Sequence, residues 1–499
     1  MSQAAIDWVT GFDPGEVIDT PLYYTQSGYD LGLRDHYVSE AAKVVRADIE
    51  QEVFEFSANG EIFDDFAPGA ISVAVGVGYR EEKMNQIVRS PALPDGNLDT
   101  GRPVPANDPA LGIRGQPGGD VNNAVAIQYS KVPNIRGSID VTEAFGELLV
   151  PLVSSTNHPN RLNLSLAARY ADYSGSGGIW AYKFGFDSQL TNTLRLRATG
   201  SHDVRAGTLS ERFDQTGSAG SVTDPFNNNV QVNIFQTSGG DPNIRPEESD
   251  TITAGFVYQP SWAEGFSASV DWYDVSLTDA ISSLTTQQVL DQCYAGDQTL
   301  CARVHRLPDG TINVIQANVL NIAKASVSGV DVEFAYRKSV DFFRSGGDED
   351  IGFRLLSSHL SENSTQGFQS PVIDRAGQLN LFEYPTDKIT ANVNYNNGRF
   401  SAFLQARWID SGYRDVLAAP GSIDDNTIDS VTYLDLNLGY EVPVGDGYWN
   451  FYAVVNNLTD EDPPVVANFG FFGASANQTN SGLYDLIGRT YTFGARFSF

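Results

Sequence analysis

No stretch of this 499-residue chain approaches the roughly 18 consecutive apolar residues that a membrane-crossing helix needs, although 41% of its residues are hydrophobic. That excludes a helical membrane protein and leaves open any protein that crosses with strands. Cations are scarce: 32 Lys and Arg stand against 62 Asp and Glu, a formal net charge of −30. A surface of that sign argues against nucleic acid or anionic membrane surfaces as partners. The five histidines (His36, His158, His202, His305 and His359) fall in separate segments without metal-binding spacing. With no nucleophile constellation either, the sequence reads as a non-enzyme that carries neither metal nor cofactor. The glycines at 175–178 are followed by neither helix nor lysine, so they read as a turn rather than a phosphate loop. The acidic runs Asp348-Glu349-Asp350 and Asp460-Glu461-Asp462 lack EF-hand spacing and read as a solvated rim. The opening residues, M-S-Q-A-A-I-D-W-V-T, have neither the basic nor the apolar region of a signal peptide.

Cysteine is almost absent too. Cys293 and Cys301 have no CxxC partner and no nearby pair of histidines, which disfavours zinc. In an oxidising compartment they can close a small loop, worth ~2–3 kcal/mol through chain entropy. Two free thiols are the alternative.

What the chain does have is glycine and large aromatics, 47 Gly, 22 Tyr and 28 Phe, the material of turns and strands. The last stretch, R-T-Y-T-F-G-A-R-F-S-F, alternates strictly. Tyr491, Phe493, Ala495, Phe497 and Phe499 lie on one face, and Thr490, Thr492, Gly494, Arg496 and Ser498 on the other. The same alternation marks about fifteen strands from residue 46 onward, after a mixed and poorly defined N-terminal segment, 1–45. Residues 206–248 read as loop, T-T-Q-Q-V-L-D-Q-C as a short helix, and 312–337 as one long strand bent near Ser328. Connections alternate in length. Short ones fall at 64–68, 151–159, 190–192, 260–264, 338–350, 396–399 and 443–448. Those between are long, 174–178 excepted. The pattern predicts an all-β fold, an antiparallel transmembrane β-barrel over 46–499 with tight turns at one end and long loops at the other. The competing expectation is a soluble, secreted β-rich binding or adhesion module, whose apolar faces pack against each other.

Five segments carry a resemblance: D-P-N-I-R-P-E-E-S-D-T-I-T-A-G-F at 241–256, V-D-W-Y-D-V-S-L-T-D-A-I at 270–281, S-G-V-D-V-E-F-A-Y at 328–336, V-N-N-L-T-D at 455–460 and the C-terminal strand. In this order and spacing the chain resembles the barrel portion of the TonB-dependent outer-membrane receptor family. The resemblance implies a barrel of twenty-two strands, a plug domain and a TonB box. Neither of the last two is recognisable here, so the expectation is an N-terminally truncated, incomplete version of that barrel. It further implies a Gram-negative outer-membrane location, with long loops extracellular and short turns periplasmic. The implied partners are outer-membrane lipid, the barrel assembly machinery, TonB only where a plug and box are supplied, and a large nutrient ligand. An iron chelate, a cobalamin-like cofactor or an oligosaccharide fits that last role. Tyr491, Phe493, Phe497 and Phe499 resemble the terminal signal that the assembly machinery reads. Phe469, Phe471 and Phe472 are candidates to grip a ligand; the alternative is that they pack on neighbouring loops or dip into the lipopolysaccharide boundary. Inward Arg195, Arg197 and Arg407, with Arg169 and Arg496, either line a path for an anionic substrate or pair with carboxylates.

A Cys293–Cys301 disulfide predicts no reactive thiol in oxidatively folded chain. Two thiols per chain in a thiol assay under denaturing conditions contradict it.

Overall fold

A computed structural model describes residues 44–63, 68–89, 130–131, 134–155, 158–343, 349–380, 384–466 and 479–499. Along the chain run β1 (Val44–Ile62), β2 (Ile71–Arg89), the short β3 (Ser130–Lys131), β4 (Ile135–Ser155), β5 (His158–Tyr173), β6 (Gly177–Gln189) and β7 (Leu194–Arg205). Next come α1 (Leu209–Phe213), β8 (Gln215–Asp224), β9 (Val230–Gly239), β10 (Glu247–Tyr258) and β11 (Phe266–Ser283). They are followed by α2 (Thr286–Tyr294), α3 (Gln298–Cys301), β12 (Val304–Arg306), β13 (Ile312–Ser339) and β14 (Asp350–Gln366). The rest is β15 (Ile373–Asp374), β16 (Asp387–Asn396), β17 (Phe400–Ile409), β18 (Gly412–Tyr413), β19 (Thr427–Ile428), β20 (Val431–Val444), β21 (Gly447–Asn456) and β22 (Thr490–Ser498).

Fourteen antiparallel pairings join fifteen of these strands in the order β1–β2–β4–β5–β6–β7–β10–β11–β13–β14–β16–β17–β20–β21–β22. The number matches the alternation count. Among the described residues no pairing joins β1 to β22. Every strand pairs with its neighbour in sequence or across an inserted loop structure, the meander that successive antiparallel hairpins produce.

Register fixes the two faces of this wall, because directly paired residues share a side. Tyr491, Phe493, Ala495 and Phe497 stand opposite Val455, Ala453, Phe451 and Trp449. The last three continue into Leu438, Tyr440 and Val442 of β20. At the other end of the sheet, Leu164, Leu166, Ala168 and Tyr170 face Phe186, Phe184, Tyr182 and Trp180. Among the described residues no second layer covers this face: Phe493 is 74% exposed and Phe184 56%. So large a continuous apolar surface is a lipid-facing surface. The apolar faces do not pack on each other, as a soluble sandwich requires.

The tight turns are built where the sequence permits them. Val444 pairs with Gly447 across a two-residue turn that Gly445 enters at φ +61°, a conformation cheap only for glycine. The inserted turn at Gly265 is tighter still, since a Cβ there would lie 1.9 Å from the Arg337 carbonyl oxygen. The long connections are not all structureless. Residues 206–248, expected as loop, contain α1 and the β8–β9 hairpin. The tight turn expected at 151–159 is shorter, because β4 extends to Ser155 and β5 starts at His158. The long strand β13 does shift register between Ser328 and Gly329, where the bend was expected.

Placing a charge on the apolar face tests this orientation. Phe493→Arg is expected to destabilise the chain refolded into vesicles by about 2–4 kcal/mol, and its neighbour Thr492→Arg by under about 1 kcal/mol. Denaturant midpoints in lipid measure the difference, and equal effects contradict the assigned faces.

Candidate functional site: the polar wall and the loop lobes at its mouth

The polar face of the wall is laced by cross-strand ion pairs. Arg169 on β5 binds Glu143 on β4, and Arg195 on β7 binds Asp187 on β6 at 2.7 Å. Arg197 grips Asp271 through two bonds of 2.7 and 2.6 Å, reaching across β10 to β11. Arg354 binds Glu333 at 2.7 Å and Arg337 binds Asp350 at 3.1 Å. Arg407 lies 3.5 Å from Asp435 and 5.5 Å from the centre of the Tyr433 ring. Arg195, Arg197 and Arg407 thus each lie against a carboxylate. Arg195 and Arg197 are neighbours on β7, whereas Arg407 is far along the sheet, so the three form no common patch.

Among the described residues, the long connections between β7 and β10, β11 and β13, β14 and β16, and β17 and β20 leave from one end of the wall and gather into lobes with cores of their own. The largest lobe is a second sheet in which β9 pairs with β8 and, in parallel, with the first part of β13; β12 flanks β13 and β3 flanks β8. Val222, Ile234, Leu284, Val289, Leu290, Leu300, Ile312 and Ile315 form its core. Helix α2 caps this core; it starts at a Thr285–Gln288 capping box and lies where the helix was expected. Cys293 at its end and Cys301 of α3 are joined by a disulfide. At the lobe's far edge Arg306 binds both oxygens of Asp224, at 2.7 and 2.9 Å. The Arg306 guanidinium beside buried Asp224 holds that carboxyl below the usual aspartate range.

The D-P-N-I-R-P-E-E segment is a fastening between this lobe and the wall. Asp241 pairs with Arg303 at 3.2 Å and accepts the Asn243 N–H at 2.9 Å. Pro242 offers its carbonyl to Arg212 at 3.0 Å. Glu247 accepts from Arg205 at 2.6 Å and from the Ile281 N–H at 2.7 Å. Arg212 itself is 2% exposed and its donors go to Ser176 and to backbone carbonyls of Gly207, Pro242 and Ile244. Burial pulls its pKa downward, and the carbonyl cage satisfies the guanidinium. Sequence reading missed this knot, although T-L-S-E at 208–211 carries a capping-box signature, which the structure forms.

A second lobe gathers Leu379, Ile409, Ile428, Val431, Tyr433, Val466 and Tyr484. Here V-N-N-L-T-D turns the chain off β21. Buried Asn457 accepts from the Glu461 N–H at 2.8 Å and donates to its carbonyl at 2.9 Å. Asp460 accepts the Arg489 N–H at 3.0 Å. Burial pushes the Tyr484 hydroxyl up to about 12, so it stays protonated at any physiological pH.

Phe469, Phe471 and Phe472 lie outside the described residues. Tyr491, Phe493, Phe497 and Phe499 all stand exposed on the apolar face or at its end. Arg496 projects to the polar face. One expectation is corrected: Glu349, placed by sequence on a solvated rim, is buried. It accepts the Phe342 and Phe343 N–H groups at 2.7 and 3.0 Å and so organises its short turn. Two histidines have carboxylate partners, His202 with Asp250 at 2.8 Å and His359 with Asp387 at 2.9 Å. Among the described residues no group of acidic, histidine and cysteine side chains is placed to hold a metal.

A strand-built wall with a lipid-facing side, a polar side and lobes at one mouth has the architecture of an antiparallel transmembrane β-barrel. The chain belongs to the TonB dependent receptor-like, beta-barrel family, whose model matches residues 7–458, and the family implies an outer-membrane location. No curated protein sequence matches it. Among solved structures, the siderophore receptor PirA from Acinetobacter baumannii is similar at a TM-score of 0.58 and 14% identity, over 91% of this chain and 55% of that one. A variant of the ferric enterobactin receptor PfeA from Pseudomonas aeruginosa, in complex with enterobactin, is similar at 0.55 and 13%, over 91% and 55%. At such identities the likeness concerns the fold. The chain spans about half the length of these relatives.

Because the Asp224 carboxyl has a depressed pKa when folded, its stabilising contribution is complete above the ordinary aspartate value of about 3.9 and is lost as pH falls through the lower folded value. Hydrogen exchange of β8 and β9 is expected to be insensitive to this pair between about pH 5 and 8. Asp224→Ala, which strands Arg306, is expected to loosen the lobe by up to about 3–5 kcal/mol. Breaking the exposed Arg245–Asp279 pair should cost under about 1 kcal/mol. Equal costs for the two overturn this ranking.

Proposed function

We propose that this chain forms wall and mouth of an outer-membrane receptor that captures a large, scarce nutrient and takes part in its TonB-dependent uptake. One observation carries the reading: among the described residues the long connections emerge at a single end of a lipid-facing wall and fold into lobes, while the other end has tight turns. Lobes with their own cores, a disulfide and buried ion pairs present a preorganised surface to a ligand, which lowers the ordering cost of capture. In this reading the lobed end is extracellular and the tight turns are periplasmic. The ion-paired polar wall is the inner surface. Exchangeable ion pairs make it a surface against which another polar body can pack and move without exposing hydrocarbon.

Coupling to TonB requires a plug and a TonB box, so energised transport belongs to a receptor in which both are supplied. The exposed aromatic end of β22 serves insertion by the barrel assembly machinery. The relatives named as siderophore receptors support an iron chelate as one ligand class; a cobalamin-like cofactor and an oligosaccharide are the others. Catalysis has no part in this reading.

Cell fractionation with semi-native electrophoresis tests the proposal. The chain is expected in the outer-membrane fraction as a band that shifts on heating, with the lobes cleaved by protease added outside intact cells. Folded chain in the soluble periplasm, without a heat-dependent shift, contradicts it.

A further inference from the structure

We infer that the far tip of the largest lobe is a docking point for a neutral, hydroxyl-rich ligand, an oligosaccharide; this rests on the receptor reading and narrows its nutrient class. Two exposed rings carry the inference. Phe226, in the turn between β8 and β9, and Tyr294, the last residue of α2, meet edge to face with centroids 4.9 Å apart and planes at 89°. They are 52% and 58% exposed, and neither belongs to the lobe's core. Their position beside one another is therefore not a by-product of filling that core.

The corner is held rigid from beneath. Asp224 accepts the Phe226 N–H at 3.1 Å, and the Arg306 guanidinium, itself gripped by Asp224, lies 4.9 Å from the centre of the Phe226 ring. The disulfide beside Tyr294 ties α2 to α3. A ring face left open in a pair fixed in this way can stack on the C–H side of a pyranose at little entropic cost, with the other ring against the sugar's edge. The side chains next to it along the turn, Asn227, Asn228 and Asn229, are exposed amides. Amides both donate to and accept from hydroxyl groups.

Charge selects against an anion. Arg306, the cation at the corner, already spends its charge on Asp224. Arg195, Arg197, Arg354 and Arg407 of the wall and Arg205, Arg245 and Arg303 around the fastening segment also stand against carboxylates, and the chain as a whole carries −30. A multiply charged anionic ligand would meet a repelling field; a neutral polyhydroxyl chain meets none. Farther in, Asn392, Asn394 and Asn437 stand on the polar side of β16 and β20, continuing the amide chemistry along the wall.

The test uses the full chain in detergent and titrates four neutral hexasaccharides, maltohexaose, cellohexaose, xylohexaose and mannohexaose, against hexagalacturonate, which is as long but anionic. At least one neutral hexamer is expected to bind in calorimetry and hexagalacturonate is not. Phe226→Ala and Tyr294→Ala should each weaken binding by about tenfold, while Tyr294→Phe keeps it, since the ring and not the hydroxyl does the stacking. Retained disulfide and heat-shifted band in each variant show that wall and lobe are folded. Failure of every neutral hexamer, tighter binding of hexagalacturonate, or indifference to both alanine variants overturns the inference. So does a tip that binds only a protein ligand. A wild-type chain that keeps the heat-shifted band and binds no neutral hexamer defeats this inference and leaves the receptor reading standing; loss of that band defeats the receptor reading itself.

Discussion

Hydrocarbon offers no hydrogen bonds, so every peptide group that enters it must be paired within the protein, at several kcal/mol for each one left alone. The long antiparallel ladder answers that requirement. Once strands of 9 to 28 residues pair in continuous register, alternation sorts the side chains automatically. Aromatic and aliphatic residues face lipid, and polar residues face inward. Both the exposed apolar surface and the ionic inner surface follow from one backbone constraint.

The inner surface shows what happens to charge when strands cannot choose their neighbours. Arginines on one strand meet acids on the next, as in Arg195–Asp187 and Arg354–Glu333, or on the next but one, as in Arg197–Asp271. Pairs this exposed add little stability, but each cancels the charge of its own two members. They also engage the guanidinium groups of Arg195, Arg197 and Arg354.

Much of the wall was legible because its signal is local. The period-two pattern of 489–499 is a direct image of β22, and the strand number follows from repeating the same reading. The lobes were harder. In 206–248 the strands are short, rich in Gly, Ser and Asn, and stabilised by a core whose members come from 222, 234, 290 and 312. No window of sequence contains that core. The Thr208–Glu211 capping box was the one local sign of order there. Glu349 illustrates a different loss: an acidic run reads as solvated, yet one member turns inward because the turn's backbone N–H groups need an acceptor. The arginines were found as inward residues, while their partners, set by register across strands, emerged only with the structure.

The account stands on which side of the sheet meets lipid. Site-directed spin labels placed one at a time along 490–498 in vesicle-reconstituted chain measure this directly through collision with oxygen, which concentrates in lipid, and with a water-soluble nickel chelate. The account predicts opposed, period-two profiles, with oxygen access greatest at 491, 493, 495 and 497 and nickel access greatest at 490, 492, 494, 496 and 498. Uniform nickel access on both sides, or oxygen access without alternation, would contradict it.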